Sequence, residues 1–279
     1  MLAKSLCFFS EKPVFFSGGI MRPLNWKVFV IIMLASFQLF GCASSGSVNS
    51  KEANEQLARE KLKEALRFGS LNQKSKMLKA LIEAIELDPK EASYHFYLGR
   101  AHFVDGDTKK AESQFLKCVR LNNGFKDAYQ QLGQIYMQRK DWENAIQYFN
   151  KDLQLTGTRN PQQIYNWLAL CHYFLAQYDK AETEWKKALN IKENAAIYLN
   201  LGLAHRHRSK FKLATDSMVR AIQIKPSFAQ AHFELAQLYI RENKREKAKK
   251  HFKNAILYSP SSAFAKQSKE YLKKISQKN

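Results

Sequence analysis

Residues 129–149 read YQQLGQIYMQRKDWENAIQYF, and the spacing inside this stretch decides the fold. Tyr129, Leu132-Gly133 and Tyr136 fall at i, i+3, i+4 and i+7, the signature of one apolar helix face. A polar turn follows at Arg139-Lys140-Asp141, and then Ala145 and Phe149 mark the face of a second helix. The leucine–small-residue step recurs at Leu98-Gly99, Leu132-Gly133, Leu168-Ala169, Leu201-Gly202 and Leu235-Ala236, at intervals of 34, 36, 33 and 34 residues. A period this regular belongs to a stacked array of hairpins, because one hairpin cannot bury its apolar face alone.

The other slots recur with the step. One copy runs His95, Leu98-Gly99, His102, Ala111, Phe115 and Cys118, and another Tyr165, Leu168-Ala169, His172, Ala181, Trp185 and Ala188. Two more carry Tyr198, His205, Ala214, Met218, Ala221 and Pro226, then His232, Tyr239, Ala248, Phe252, Ala255 and Pro260. This pattern is identified as that of the tetratricopeptide repeat, with tyrosine or histidine in its tryptophan slot. Residues 55–89 keep the second-helix spacing at Met77, Leu81, Ala84 and Pro89 and read as a degenerate copy. Ser261 to Ile275 reads as a capping helix with Phe264, Tyr271, Leu272 and Ile275 inward. The expected fold is therefore all-α, a solenoid of about six helix-turn-helix repeats over residues 55–260. A capping helix and basic tail follow over residues 261–279.

The composition changes before residue 50. Arg22 and Lys27 precede an apolar run from Val28 to Phe37, followed by Leu39-Phe40-Gly41-Cys42. A basic region, a short apolar region and small residues before a cut describe a secretory signal over residues 1–41, with Met21 as an alternative start. Leu39, Gly41 and Cys42 resemble the lipobox of bacterial lipoproteins, although Phe40 is bulkier than that pattern favours. The resemblance implies diacylglycerol transfer to the Cys42 thiol, cleavage before it and acylation of the new amine. Each buried methylene contributes about 0.8 kcal/mol, so several chains hold such a protein firmly to a membrane. Ala43 stands where aspartate would retain the protein at the inner membrane, so an outer-membrane, periplasm-facing location is expected. Residues 42–54 are expected to serve as a lipidated tether.

The remaining polar chemistry points away from catalysis. Cys118 and Cys171 fall in buried slots of different copies, and the chain holds no C-x-x-C pair, nucleophile elbow, phosphate loop or H-E-x-x-H. Five of seven histidines occupy packing slots, and the run His205-Arg206-His207-Arg208 reads as solvated surface before it reads as a metal site. No enzyme, metal or cofactor is expected. Without residues 1–41 the chain has 41 basic and 24 acidic residues, net +17, and residues 241–279 alone carry twelve against three. Such an end attracts acidic partners, anionic lipid or nucleic acid; export would remove the last from reach.

In a tetratricopeptide array the first helices line a groove. The offsets between packing slots give Phe96, Arg100 and Phe103; Gln130, Gln134 and Met137; Asn166, Leu170 and Tyr173; Leu199, Leu203 and Arg206; and Phe233, Gln237 and Ile240. Apolar side chains with scattered amides suit a partner helix or an extended segment. The lysine clamp of chaperone-binding relatives is missing, since Phe96, Gln130, Leu199 and Phe233 hold its offsets. From about Met21 to the end, the lipoprotein signal, tether and array resemble the type IV pilus pilotins, which include social-motility lipoproteins of gliding bacteria. That resemblance implies binding of a secretin subunit and promotion of its assembly in the outer membrane. The +17 balance departs from the family. The other readings are an adaptor lipoprotein for envelope enzymes or assembly machinery, and a cytoplasmic array whose basic end binds nucleic acid. Self-association is left open.

Overall fold

The computed structural model describes residues 45–277, so the expected signal, Cys42 and the start of the tether lie outside the described residues. The chain divides into two units, residues 1–56 and 57–279. Among the described residues there are thirteen helices and no strand. They are α1 (Ser45–Ser70), α2 (Lys74–Leu87), α3 (Ala92–Val104), α4 (Thr108–Leu121), α5 (Lys126–Gln138), α6 (Trp142–Gln154) and α7 (Pro161–Phe174). After these come α8 (Tyr178–Ile191), α9 (Ala195–His207), α10 (Phe211–Ile224), α11 (Ala229–Arg241), α12 (Arg245–Tyr258) and α13 (Ala263–Ser276).

The helices pack in consecutive pairs, α3 on α4 through α11 on α12, and each second helix also packs on the first helix of the next pair. The degenerate copy is the first of six hairpins, in which Ala65 of α1 and Leu81 of α2 share a core with Leu98 and Ala101 of α3. At the other end α13 caps the array, with Ile275 buried and Phe264, Tyr271 and Leu272 packed beside Phe233 and Phe252. The stretch from Ser45 to residue 54, read as tether, is helical as part of α1. It holds no proline, and the Ala, Leu, Glu and Lys beyond Ser50 are strong helix formers, so the helix propagates upstream of its docked turns.

The small residues of the repeated step do steric work. A Cβ built on Gly99 would lie 2.8 Å from the Phe115 ring, and one on Gly133 would overlap the Phe149 ring. The fully buried Phe115, Phe149, Trp185 and Phe252 thus press on the first helix of their own hairpin. Each contributes about 2–3 kcal/mol of burial.

The turn inside each hairpin has one geometry. Asn72, Gly106, Lys140, Ala176, Ser209 and Asn243 all adopt positive φ, between 55° and 80°. The next residue's N–H returns five residues to the helix, as in Asp107 to His102 O (3.0 Å) and Gln177 to His172 O (2.8 Å). This is a Schellman closure, and every hairpin turn closes in the same way. Asp107 and Asp141 then cap the following helix through Lys110 N and Asn144 N. The long interval comes from the loop between α6 and α7, where Thr158 Oγ1 donates to the Asp152 carbonyl at 3.1 Å.

Candidate partner-binding groove

The first helices α3, α5, α7, α9 and α11 carry the residues expected in the groove, and the structure sorts them into two groups. Phe96, Leu199 and Phe233 are buried at 6 %, 3 % and 4 % exposure, which corrects their reading as groove surface. Phe96 lies 4.9 Å from the Phe125 ring and 5.8 Å from Phe115. Phe233 sits against Phe264 at 5.5 Å and Phe252 at 6.0 Å, and Leu199 packs in a cluster with Met218 and Phe228. Phe96 and Leu199 wedge into the joint where the next hairpin is entered through Phe125 and Phe228, and Phe233 packs on Phe264 in the first turn of the capping helix. Where Gln130 and Asn166 occupy that slot, the next helix is entered through Asn160 and Asn194 instead.

The second group stays accessible to solvent. Arg100 is exposed, while Phe103, Gln130, Gln134, Met137, Asn166, Leu170, Tyr173, Leu203, Arg206, Gln237 and Ile240 are half-buried. Asn166 accepts a hydrogen bond from the Trp185 indole at 3.0 Å, which fixes its amide. The position after this slot holds Tyr97, Gln131, Trp167, Asn200 and Glu234 in the five copies. The position after the last groove residue holds Val104, 83 % exposed, and Phe174, 57 % exposed. On a helix of 3.6 residues per turn these offsets adjoin the ones already read, so extending the period by one residue finds them.

The charged pairs differ along the groove. Glu234 is buried and forms an ion pair with Arg206, whose guanidinium also donates to Gln237 at 3.1 Å. Burial pushes the Glu234 carboxyl above the usual carboxylate range against the pull of Arg206. Arg100 lines an open cleft of 390 Å³ among α1, α2 and α3, together with Leu66, Met77, Tyr97 and Val104.

Behind the groove the polar side chains are committed to packing. His232 donates from Nε2 to the Pro226 carbonyl at 2.9 Å, so its Nδ1 accepts from His251 Nδ1 at 2.8 Å. Burial, then the neighbouring His232 and Lys250, push His251 down to about 4. His205 is buried 3.7 Å from Glu182, which also binds Arg208 at 2.9 Å, and His207 stacks on Tyr178. The run from His205 to Arg208 therefore diverges. Among the described residues no group of three His, Cys, Asp or Glu could hold a metal ion. Burial pushes the Cys118 and Cys171 thiols up to about 12, as for core residues. No described helix is long and apolar enough to cross a membrane.

Models of the tetratricopeptide repeat match residues 62–124, 126–158, 162–194 and 229–262. The chain belongs to the tetratricopeptide-repeat family. The hairpin α9–α10, at 195–228, lies between the matched segments, yet it keeps the geometry, with His205 and Met218 in the aromatic slots. The BBSome complex member BBS4 of Bos taurus is 23 % identical over 157 residues, 56 % of this chain and 30 % of that protein. The chain thus spans less than a third of that relative. Three solved tetratricopeptide structures have the same fold. YrrB, described as having an unusual peptide-binding site, is 20 % identical with a TM-score of 0.59, covering 69 % of this chain and 99 % of its own. Pseudomonas aeruginosa pilF is 16 % identical with a TM-score of 0.60, covering 81 % and 99 %. PilW, a type IV pilus biogenesis factor, is 13 % identical with a TM-score of 0.62, covering 76 % and 98 %. Tetratricopeptide arrays are scaffolds for protein–protein contact, and this chain has that architecture.

Proposed function

We propose that this chain is a non-catalytic lipoprotein scaffold on the periplasmic face of the outer membrane. Its groove binds a secretin subunit, and the chain acts as a type IV pilus pilotin. The observation that carries this reading is a combination within one chain: Leu39, Gly41 and Cys42 stand at the end of a short apolar segment, directly ahead of a six-hairpin array. The array alone suits many partners; the lipid anchor narrows them to envelope assemblies. The nearly full length of pilF and PilW that the chain overlays supports the same reading.

The test is secretin assembly in cells of the source organism lacking the chain, complemented with the wild type, Cys42→Ala or Leu170→Ala. The reading requires detergent-resistant secretin multimers in the outer membrane with the wild type. It also requires their loss with Cys42→Ala, which should release the chain from the membrane fraction. Normal secretin multimers without the chain would remove the pilotin role and favour an adaptor for other envelope machinery. Unchanged membrane localisation of Cys42→Ala would remove the lipid anchor.

A further inference from the structure

The cleft among α1, α2 and α3 is lined by apolar side chains and by Arg100. Its volume of 390 Å³ exceeds the roughly 150 Å³ that holds a benzene ring in an apolar cavity. Its walls are apolar at Leu66, Met77 and Val104, of which Val104 stands 83 % and Leu66 46 % exposed. Two of its charges cancel, since Lys74 holds Asp105 at 2.6 Å. Arg100 has no carboxylate partner among the described ion pairs. Its guanidinium rests 5.8 Å above the ring of Phe96, which Phe115 and Phe125 clamp in turn, so the cation is presented on a rigid base.

We propose that this cleft anchors a partner segment by taking one large apolar side chain and, on the adjoining residue, an acidic side chain held by Arg100. An arginine with no internal counter-charge beside an apolar recess favours a carboxylate and disfavours a lysine. Gln134 on α5 and Leu170 on α7 stand at the repeat position of Arg100, so the bound segment is assigned to continue along them and the carboxylate belongs to Asp or Glu within it. The half-buried amides of Gln130 and Gln134 on α5 supply donors and acceptors for its backbone. This inference rests on the groove being the partner-binding surface.

The test selects a phage-displayed library of dodecapeptides on the immobilised full chain. Enriched sequences are then measured by fluorescence anisotropy as synthetic peptides with both termini blocked. Enriched peptides are expected to place Leu, Phe or Met next to Asp or Glu. Arg100→Glu and Val104→Glu should each weaken them about tenfold or more. Both positions are exposed, so thermal unfolding should match the wild type. Leu170→Ala, in mid-groove, separates the two levels of the argument. Peptides weakened by Leu170→Ala but indifferent to Arg100→Glu and Val104→Glu would overturn the cleft and leave the groove standing. Peptides indifferent to all three, or no enrichment, would overturn both. Binding only by peptides with a free terminal carboxylate would overturn the assignment to an acidic side chain.

Discussion

Arg100 on α3 and Arg206 on α9 are both expected in the groove, and their surroundings are opposite. Arg206 is spent internally: it neutralises the buried Glu234 on the next first helix and so staples two hairpins together. Arg100 is left over at an open cleft, with only an aromatic ring beneath it. The carboxy-terminal part of the groove is thus closed on itself, and the amino-terminal part is free to receive charge from outside. Stability and recognition are separated along one repeated architecture by the presence or absence of a single acidic neighbour.

The largest effect should come from breaking the closed pair. Arg206→Ala leaves a buried carboxylate unpaired and should cost about 3 kcal/mol in urea unfolding, whereas Arg100→Ala should leave stability within about 0.5 kcal/mol. Burial already raises the Glu234 carboxyl, and without Arg206 it rises further. A folded pKa above the unfolded one favours the native state at low pH, so the Arg206→Ala deficit should shrink on acidification. A deficit that stays constant with pH would mean that lost packing, rather than the orphaned charge, explains it.

The same contrast shows what could be read from the residues alone. The six hairpins and the cap were legible because Leu132-Gly133 and its repeats report packing inside one hairpin, where spacing determines contact. Phe96, Leu199 and Phe233 were misplaced because their direction depends on what the following helix brings against them: Phe125, Phe228 and Phe264 pack on them. The Arg206–Glu234 pair links residues 28 apart on neighbouring first helices, a register that the repeat fixes only once stacking geometry is known. The left-handed turns at Lys140, Ala176 and Ser209 escaped because none of these residues announces a positive φ.

A second contrast lies behind the groove. His95 in the second hairpin meets the amide of Gln114, and His232 in the sixth meets His251 at the same separation of 19 residues. The amide keeps its role at any pH, but the imidazole titrates. His251 is held at about 4, below its ordinary value of 6.5, so the unfolded chain takes up the proton first. Native stability should therefore fall as pH drops from about 6.5 towards 4, by up to about 3 kcal/mol. His251→Gln should flatten that part of the acid limb while its amide still donates to His232. An acid limb identical to the wild type's would exclude the pair as its origin.

The helix–helix approach gives a smaller effect, in which opposite substitutions destabilise the two regions to different extents. Gly99→Ala brings a methyl group to 2.8 Å from the Phe115 ring and should cost about 1–3 kcal/mol. In the sixth hairpin that methyl is native, because Ala236 packs in the core with Phe252. Ala236→Gly should therefore cost only about 1 kcal/mol, through chain entropy and lost contact. Equal losses from the two changes would show that the two hairpins have the same interhelical spacing, contrary to the steric argument.

The smallest effect belongs to the turns. Gly106 and Ala176 occupy the same left-handed corner, at φ 80° and 57°. A Cβ in that conformation costs roughly 1–2 kcal/mol, whereas glycine gives up about 0.4–1 kcal/mol in extra freedom of the unfolded chain. The balance favours glycine, so Ala176→Gly should stabilise the array by a few tenths to about 1 kcal/mol, and Gly106→Ala should destabilise it by a similar amount. Nothing lies within 4 Å of a Cβ built on Gly106, so a loss there would report backbone strain alone. Thermal unfolding of both variants checks the sign. If Ala176→Gly lowers the midpoint, the Schellman bonds of Ala176 N to Tyr173 O (3.0 Å) and Gln177 N to His172 O (2.8 Å) already hold the corner tightly enough to absorb the strain. The six turns would then be set by those closing bonds rather than by the residue at the corner.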